Sequence, residues 1–282
     1  MRYVNSPLRY PGGKQKALKF LIQFFPEFNE LREPMCGGAS VTLYWAQKKM
    51  NAKFLMGDIN YDLYCFWKST KEHLEEMIKI ILELRSTYKN GRELYQYLIQ
   101  KKETNISEIE RGAYFFILNR ITFSGTTESG GYSESAFQKR FTLSSIERLS
   151  LVSHILQRVE IYNFDYEYLI NLPGDNVLIF LDPPYYSATS SKLYGKNGKL
   201  HTEFDHLRFF EVVSKSKHKV LITYDDSEFI RKLYKDFYKI PWNLKYGMTN
   251  YGKDYLRTGN ELLIANFPIF EKVVKFSFIQ QC

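Results

Sequence analysis

Val177-Leu178-Ile179-Phe180, running straight into Leu181-Asp182-Pro183-Pro184-Tyr185-Tyr186, is the stretch on which the fold of this chain turns. The four apolar residues are β-branched or bulky, and the turn formers Pro173-Gly174-Asp175-Asn176 precede them. That pattern predicts a strand covered on both faces. Asp182 then stands where the strand leaves the sheet. Open α/β sheets bind ligands at the carboxyl ends of their strands, so a carboxylate, two prolines and an aromatic suit chemistry there as well as a turn.

Working outward, strands are expected at 160–162, 220–223 and 262–266, with a helix near 205–214. On the N-terminal side, helix patterns at 16–25 and 41–49 and a strand at 53–56 make a β-turn-α-β arrangement. Between them, 68–154 reads as mainly helical: Leu74, Met77, Ile78, Ile81, Leu82 and Leu84 recur at helix spacing, as do Ala113, Phe116, Ile117 and Arg120. Only the polar run Ser124 to Ser133, with three glycines, must be a loop or hairpin tip. The expected fold is an α/β, Rossmann-like sheet made of residues 1–67 and 155–282, split by a helical insert at 68–154.

Composition fits one large core or two modest ones in 282 residues. A net charge of +8 favours a polyanionic partner, but the excess is spread along the chain with no basic tail. Cys36, Cys65 and Cys282 form no Cys-x-x-Cys pair, so neither a disulfide framework nor a metal site is expected. With no apolar signal core and no bilayer-length apolar run, a soluble, unexported, cytoplasmic protein without membrane contact is expected.

Three further segments accompany Asp182. Glu33-Pro34-Met35-Cys36-Gly37-Gly38-Ala39-Ser40 leads into a helix pattern. Its glycines either let a ligand approach the backbone or make a plain tight turn. Asp58 ends the next strand, placed either to accept from ribose hydroxyls or to cap a helix. Ser6-Pro7-Leu8-Arg9-Tyr10-Pro11-Gly12-Gly13-Lys14 holds a bend and a lysine able to meet a carboxylate.

The Asp-Pro-Pro-Tyr run has the most specific physical reading. An exocyclic amine on adenine is a poor nucleophile because its lone pair is delocalised into the ring. The Asp182 carboxylate and the Pro183 carbonyl, the latter fixed by the following proline, can accept its two N–H bonds and aim that lone pair. Tyr185 then stacks on a base that has left the duplex.

Taken together, these segments resemble the N6-adenine DNA methyltransferases of the Dam/DpnII type (D12 class, α group). The likeness rests on Arg9 to Lys14, Glu33 to Ser40, Gly57-Asp58-Ile59-Asn60, Asn119-Arg120 with Phe123-Ser124-Gly125, Asp182 to Tyr185, and Glu261-Leu262-Leu263-Ile264. It covers nearly the whole chain.

The resemblance implies S-adenosylmethionine as methyl donor, lined by Tyr10, Gly12, Lys14, Pro34, Cys36, Gly37, Gly38, Ser40, Asp58, Ile59, Asp165, Tyr166 and Asp182. Asp58 would meet its ribose and Asp165 its adenine amine. Asp182, Pro183, Pro184 and Tyr185 would carry catalysis.

It also implies double-stranded DNA as partner, contacted by Arg9, Asn119, Arg120, Phe123, Ser124, Thr126, Glu128, Lys139 and Arg140. Phe123 would fill the gap left by a flipped base, or else is a core side chain. Members that read GATC carry an arginine where this chain has Thr126-Thr127-Glu128, so another site is implied. Pro-Met-Cys-Gly-Gly likewise departs from the commoner Phe-x-Gly-x-Gly. Restriction–modification, with a cognate endonuclease, is one role such chemistry serves. RNA or protein-amide methylation, and DNA binding without catalysis, are the rival readings.

Overall fold

The computed structural model describes residues 3–127, 130–188, 203–245 and 258–269. Seven strands among them form one sheet: β1 (Glu30–Glu33), β2 (Lys53–Gly57), β3 (Val159–Tyr162), β4 (Val177–Leu181), β5 (Lys219–Asp225), β6 (Tyr238–Lys245) and β7 (Thr258–Ala265). Their spatial order is β3-β2-β1-β4-β5-β7-β6. The first five are parallel, and β7 runs antiparallel between β5 and β6. Strand order therefore reverses between β1 and β4, which opens a crevice at their carboxyl ends.

Strand β4 explains why the opening stretch is apolar throughout. Leu178 and Phe180 face one core, while Val177, Ile179 and Leu181 face the other, and all five are buried. The first core is closed by α2 (Ser40–Lys48), α3 (Tyr61–Glu72), α4 (Leu74–Thr87), α5 (Gly91–Lys102), α6 (Glu108–Ile121) and α8 (Leu143–Leu156). The second is closed by α9 (Tyr166–Asn171), α10 (His206–Ser214) and α11 (Glu228–Leu233). Remaining helices are α1 (Leu18–Leu21) and α7 (Glu134–Arg140).

Within the helical region, α6 is the central member. A capping box, Ser107 with Glu110, starts it, and every residue from Gly112 to Ile121 is buried. A Cβ on Gly112 would lie 2.7 Å from the Cys65 carbonyl oxygen, so glycine lets α6 approach α3.

Several expectations need adjusting. The helix expected over 16–25 is broken into α1 between two 3₁₀ turns. None of the three has a side-chain cap, and Phe25, before Pro26, is already extended. Strand β6 carries Pro241, which disguises it in the sequence; among the described residues it pairs only with β7, and an edge strand tolerates proline. An antiparallel bridge joins Thr122 and Tyr132 on either side of the Ser124–Ser133 run.

Candidate active site

Asp182 leaves β4 at the crevice with its side chain 22% exposed. Lys14, only 4% exposed, reaches both of its oxygens, at 2.6 Å to Oδ1 and 2.7 Å to Oδ2. The Thr223 hydroxyl, fully buried on β5, donates to Oδ1 at 2.7 Å. The Lys14 ammonium also donates to the Gly12 carbonyl at 2.9 Å, tying the N-terminal bend to the end of β4. Two flanking elements thus fix the carboxylate's plane.

The residues after Asp182 are held as firmly. Pro183 is buried and Pro184 half-buried. The Tyr185 hydroxyl donates to Glu261 Oε2, and Lys14 Nζ stands 5.2 Å from the centre of the Tyr185 ring. Asp225, ending β5, accepts from the backbone N–H groups of Tyr186 at 2.7 Å and Ser187 at 3.2 Å. Tyr186 stacks on Phe229 with centroids 4.3 Å apart.

Two more carboxyls lie under this surface. Burial is the main cause that pushes Glu33 up to about 7, with Asp182 adding, against hydrogen bonds from Thr42. Burial likewise pushes Glu261 up to about 7, with Asp182 and Asp225 adding and Lys14 opposing.

Beside β4, the turn after β1 is tight. Gly37 has φ +45°, and a Cβ there would lie 2.7 Å from Cε1 of Tyr10, whose ring packs on the glycine. Gly37 N–H donates to Asp58 Oδ2 at 3.0 Å, and Asn60 N–H to Oδ1 at 3.0 Å. Asp58 thus joins the turns after β1 and β2, while Asn60 is the side chain that caps α3. Pro34, Gly38 and Ser40 are buried at the same turn. Cys36 is buried too, and burial with Asp58 and Glu33 holds its thiol well above its usual range, so it is no nucleophile. Ile59 is 56% exposed beside Asp58.

Asp165 follows β3 and caps α9 by accepting from Glu167 N–H at 3.0 Å. Both its oxygens also meet Arg208, at 3.2 Å each, and that guanidinium lies over the Tyr166 ring. Asn163 donates to the Asp58 and Ile59 carbonyls, at 2.8 and 3.3 Å, which joins this turn to that after β2.

The expected DNA-contacting residues divide. Asn119 and Thr126 are both buried, and their side chains are bonded to the chain's own backbone. Asn119 accepts from Arg9 N–H at 2.9 Å and donates to the Arg9 and Gly125 carbonyls, so its amide builds the tip instead of facing a duplex. The Thr126 hydroxyl donates to the Phe123 carbonyl at 2.9 Å. Phe123 is 67% exposed, which removes the core alternative. Ser124 is half-buried in a left-handed conformation, Lys139 and Arg140 are exposed, and Glu128 lies outside the described residues.

Arg120 is 6% exposed, and its Nε has no hydrogen-bond partner among the described residues. Burial first, then Arg148, Arg9 and Arg140, hold its pKa down to about 9. A guanidinium so placed is relieved by an anion.

Sequence reasoning did not assign Thr223, Asp225 or Arg148, and it quoted Glu33 and Glu261 without a role. Asp225 ends β5 and Thr223 lies two residues before it on the same strand, a position near a strand's carboxyl end that is their signal; Arg148 lies mid-helix and carries none. Among the described residues no group of His, Cys, Asp and Glu can hold a metal ion, and no helix is long and apolar enough to cross a membrane.

Comparison with known proteins places the chain in a family. The chain is 25% identical over 288 residues to the type II methyltransferase M.MjaIII of Methanocaldococcus jannaschii, covering 94% of this chain and 99% of that one. It is 24% identical to the DNA N-6-adenine-methyltransferase of Escherichia phage P1, over 83% of this chain but 31% of the phage protein. It is also 24% identical to the retron Ec67 DNA adenine methylase of Escherichia coli, covering 83% and 82% of the two chains. Residues 10–248 match the family of D12 class N6 adenine-specific DNA methyltransferases, and the chain belongs to that family.

Proposed function

We propose that this protein is a site-specific adenine methyltransferase of the Dam/DpnII group, methylating N6 in double-stranded DNA on a base rotated out of the stack. The observation that carries this reading is the Asp182 carboxylate at the switch point, fixed by Lys14 and Thr223 and followed by two prolines and Tyr185. In this reading 1–67 with 155–282 form the catalytic part and 68–154 the recognition part.

The residues at the crevice fit S-adenosylmethionine by their chemistry. Asp58 is an acceptor for a ribose diol, and the exposed Ile59 offers an apolar face to a purine. When bound, that cofactor supplies an electrophilic methyl group.

The chain's own residues do the rest. Asp182 accepts one N–H of the target amine and the Pro183 carbonyl the other, which draws the nitrogen lone pair out of conjugation with the ring and frees it for attack. Positive charge developing on that nitrogen meets a carboxylate whose orientation is already set, so little reorganisation is needed. Tyr185 gives the base a stacking face and Phe123, exposed on the hairpin tip, fills the gap in the duplex. Arg120, with Arg9, Arg140 and Arg148, takes a backbone phosphate.

Incubation with unmethylated genomic DNA and labelled S-adenosylmethionine, followed by single-molecule mapping of N6-methyladenine, tests this. Marks in one short motif are expected, absent with Asp182→Asn. No marks from a protein that binds the cofactor would overturn the reading and favour RNA or protein substrates.

A further inference from the structure

Glu261 has no assigned part in this chemistry, yet its placement is specific. β7 runs against β5, so Glu261 sits opposite Asp225 at the same sheet edge as Asp182. It is 1% exposed. One oxygen receives the Tyr185 hydroxyl, and the other has no hydrogen-bond partner among the described residues. Folding alone gains nothing from a half-satisfied carboxyl in that position, because an apolar side chain would fill it without the desolvation penalty.

Tyr185 has two polar tethers. Its hydroxyl is held by Glu261, and its face lies 5.2 Å from the Lys14 ammonium. Lys14 in turn grips Asp182. Ring plane and carboxylate plane are thereby coupled through one lysine, with Glu261 anchoring the far end.

We propose that Glu261 is a positioning residue for methyl transfer, holding the Tyr185 ring at the angle at which the target base stacks while Asp182 receives its amine. The inference rests on the methyltransferase reading above. Glu261 does not touch substrate in this scheme; it acts through Tyr185.

The test compares Glu261→Ala, Glu261→Gln, Tyr185→Phe and the double variant Glu261→Ala/Tyr185→Phe. Steady-state kcat and KM for DNA, cofactor affinity by calorimetry, and thermal midpoints are measured for each. Glu261→Gln keeps an acceptor for the hydroxyl and should stay within about threefold of wild-type kcat. Glu261→Ala should lose on the order of ten- to a hundredfold in kcat, with cofactor affinity unchanged. Tyr185→Phe should match it, and the double variant should be no worse than either single one.

If Glu261→Ala retains wild-type kcat, or if the double variant shows the product of the two losses, the proposal fails. So too does it if the glutamine variant is as impaired as the alanine one. An inactive wild type on every DNA tried would instead bring down the methyltransferase reading, which keeps the two failures apart.

Discussion

The Thr223 hydroxyl donates to Asp182 Oδ1 across 2.7 Å, tying the residue that follows β4 to the neighbouring strand β5. β4 and β5 are paired through Leu181 and Ile222, so Thr223, still inside β5, lies level with Asp182 as the chain leaves β4. A hydroxyl here costs the core little and leaves Asp182 one preferred orientation. Thr223→Val keeps the shape and removes only the donor. Its expected cost is about 1 kcal/mol in stability, the net value of one buried hydrogen bond. The expected loss in kcat is larger, about tenfold, with cofactor affinity unchanged. Denaturant titration beside single-turnover kinetics checks it; a kcat equal to wild type would show that Asp182 needs no such brace.

Gly37 carries a second prediction. Its φ of +45° is strained for any L side chain, and the space beside it is already filled by the Tyr10 ring. Gly37→Ala therefore has to push Tyr10 away or unwind the turn that Asp58 holds. A stability loss of roughly 1–3 kcal/mol is expected, together with weakened cofactor binding. Calorimetric titration with S-adenosylmethionine reads the second effect. Undiminished affinity would remove this turn from the cofactor site.

A pH dependence follows from Glu33. Its carboxyl is held up to about 7 by burial, against an ordinary value near 4.5, so the folded protein keeps a proton that the unfolded chain releases. The stability this gives is complete below pH 4.5 and is lost as pH rises towards 7. The shift corresponds to on the order of 3 kcal/mol. Glu261 acts in the same direction. Glu33→Gln removes the titration while keeping an oxygen for the Thr42 N–H, so its stability relative to wild type should improve between pH 5 and pH 8. Parallel unfolding curves at the two pH values would refute the assignment.

The sheet and its site were legible in the sequence to different degrees. β4 is readable because a strand buried on both faces is apolar at every position, and its end carries an uncommon tetrapeptide. β1 gives no such signal: its Glu-Leu-Arg-Glu is three-quarters charged, and its central place in the sheet is compatible with Arg32 because that side chain, paired with Glu30, is buried against the end of α9. There it donates to the Leu169, Leu172 and Pro173 carbonyls at 2.8, 2.5 and 3.0 Å. Nothing local reveals that a distant helix supplies those acceptors.

Asn119 shows a different difficulty. A polar residue beside an expected DNA-contacting loop reads as a contact, but its partners are Arg9 and Gly125, 110 and 6 residues away. Motif spacing locates such a residue and leaves its direction open.

Arg120 gives the prediction in which stability and function move in opposite directions. Its buried guanidinium has an unpartnered Nε and faces the electrostatic push of Arg148, Arg9 and Arg140. Replacing it by methionine removes the buried charge and its contact over the Phe116 ring but leaves an unbranched apolar side chain to fill the space. The free protein should gain on the order of 1 kcal/mol or more. Affinity for DNA should fall across all sequences, and the slope of log affinity against log salt should shrink by about one, as expected when one phosphate contact is lost. Arg140→Ala, which removes an exposed member of the same cluster, should weaken DNA binding with little change in stability. Arg120→Met with lower stability and unchanged salt dependence would mean that the guanidinium serves the fold, and the phosphate site would have to be sought elsewhere on the helical region.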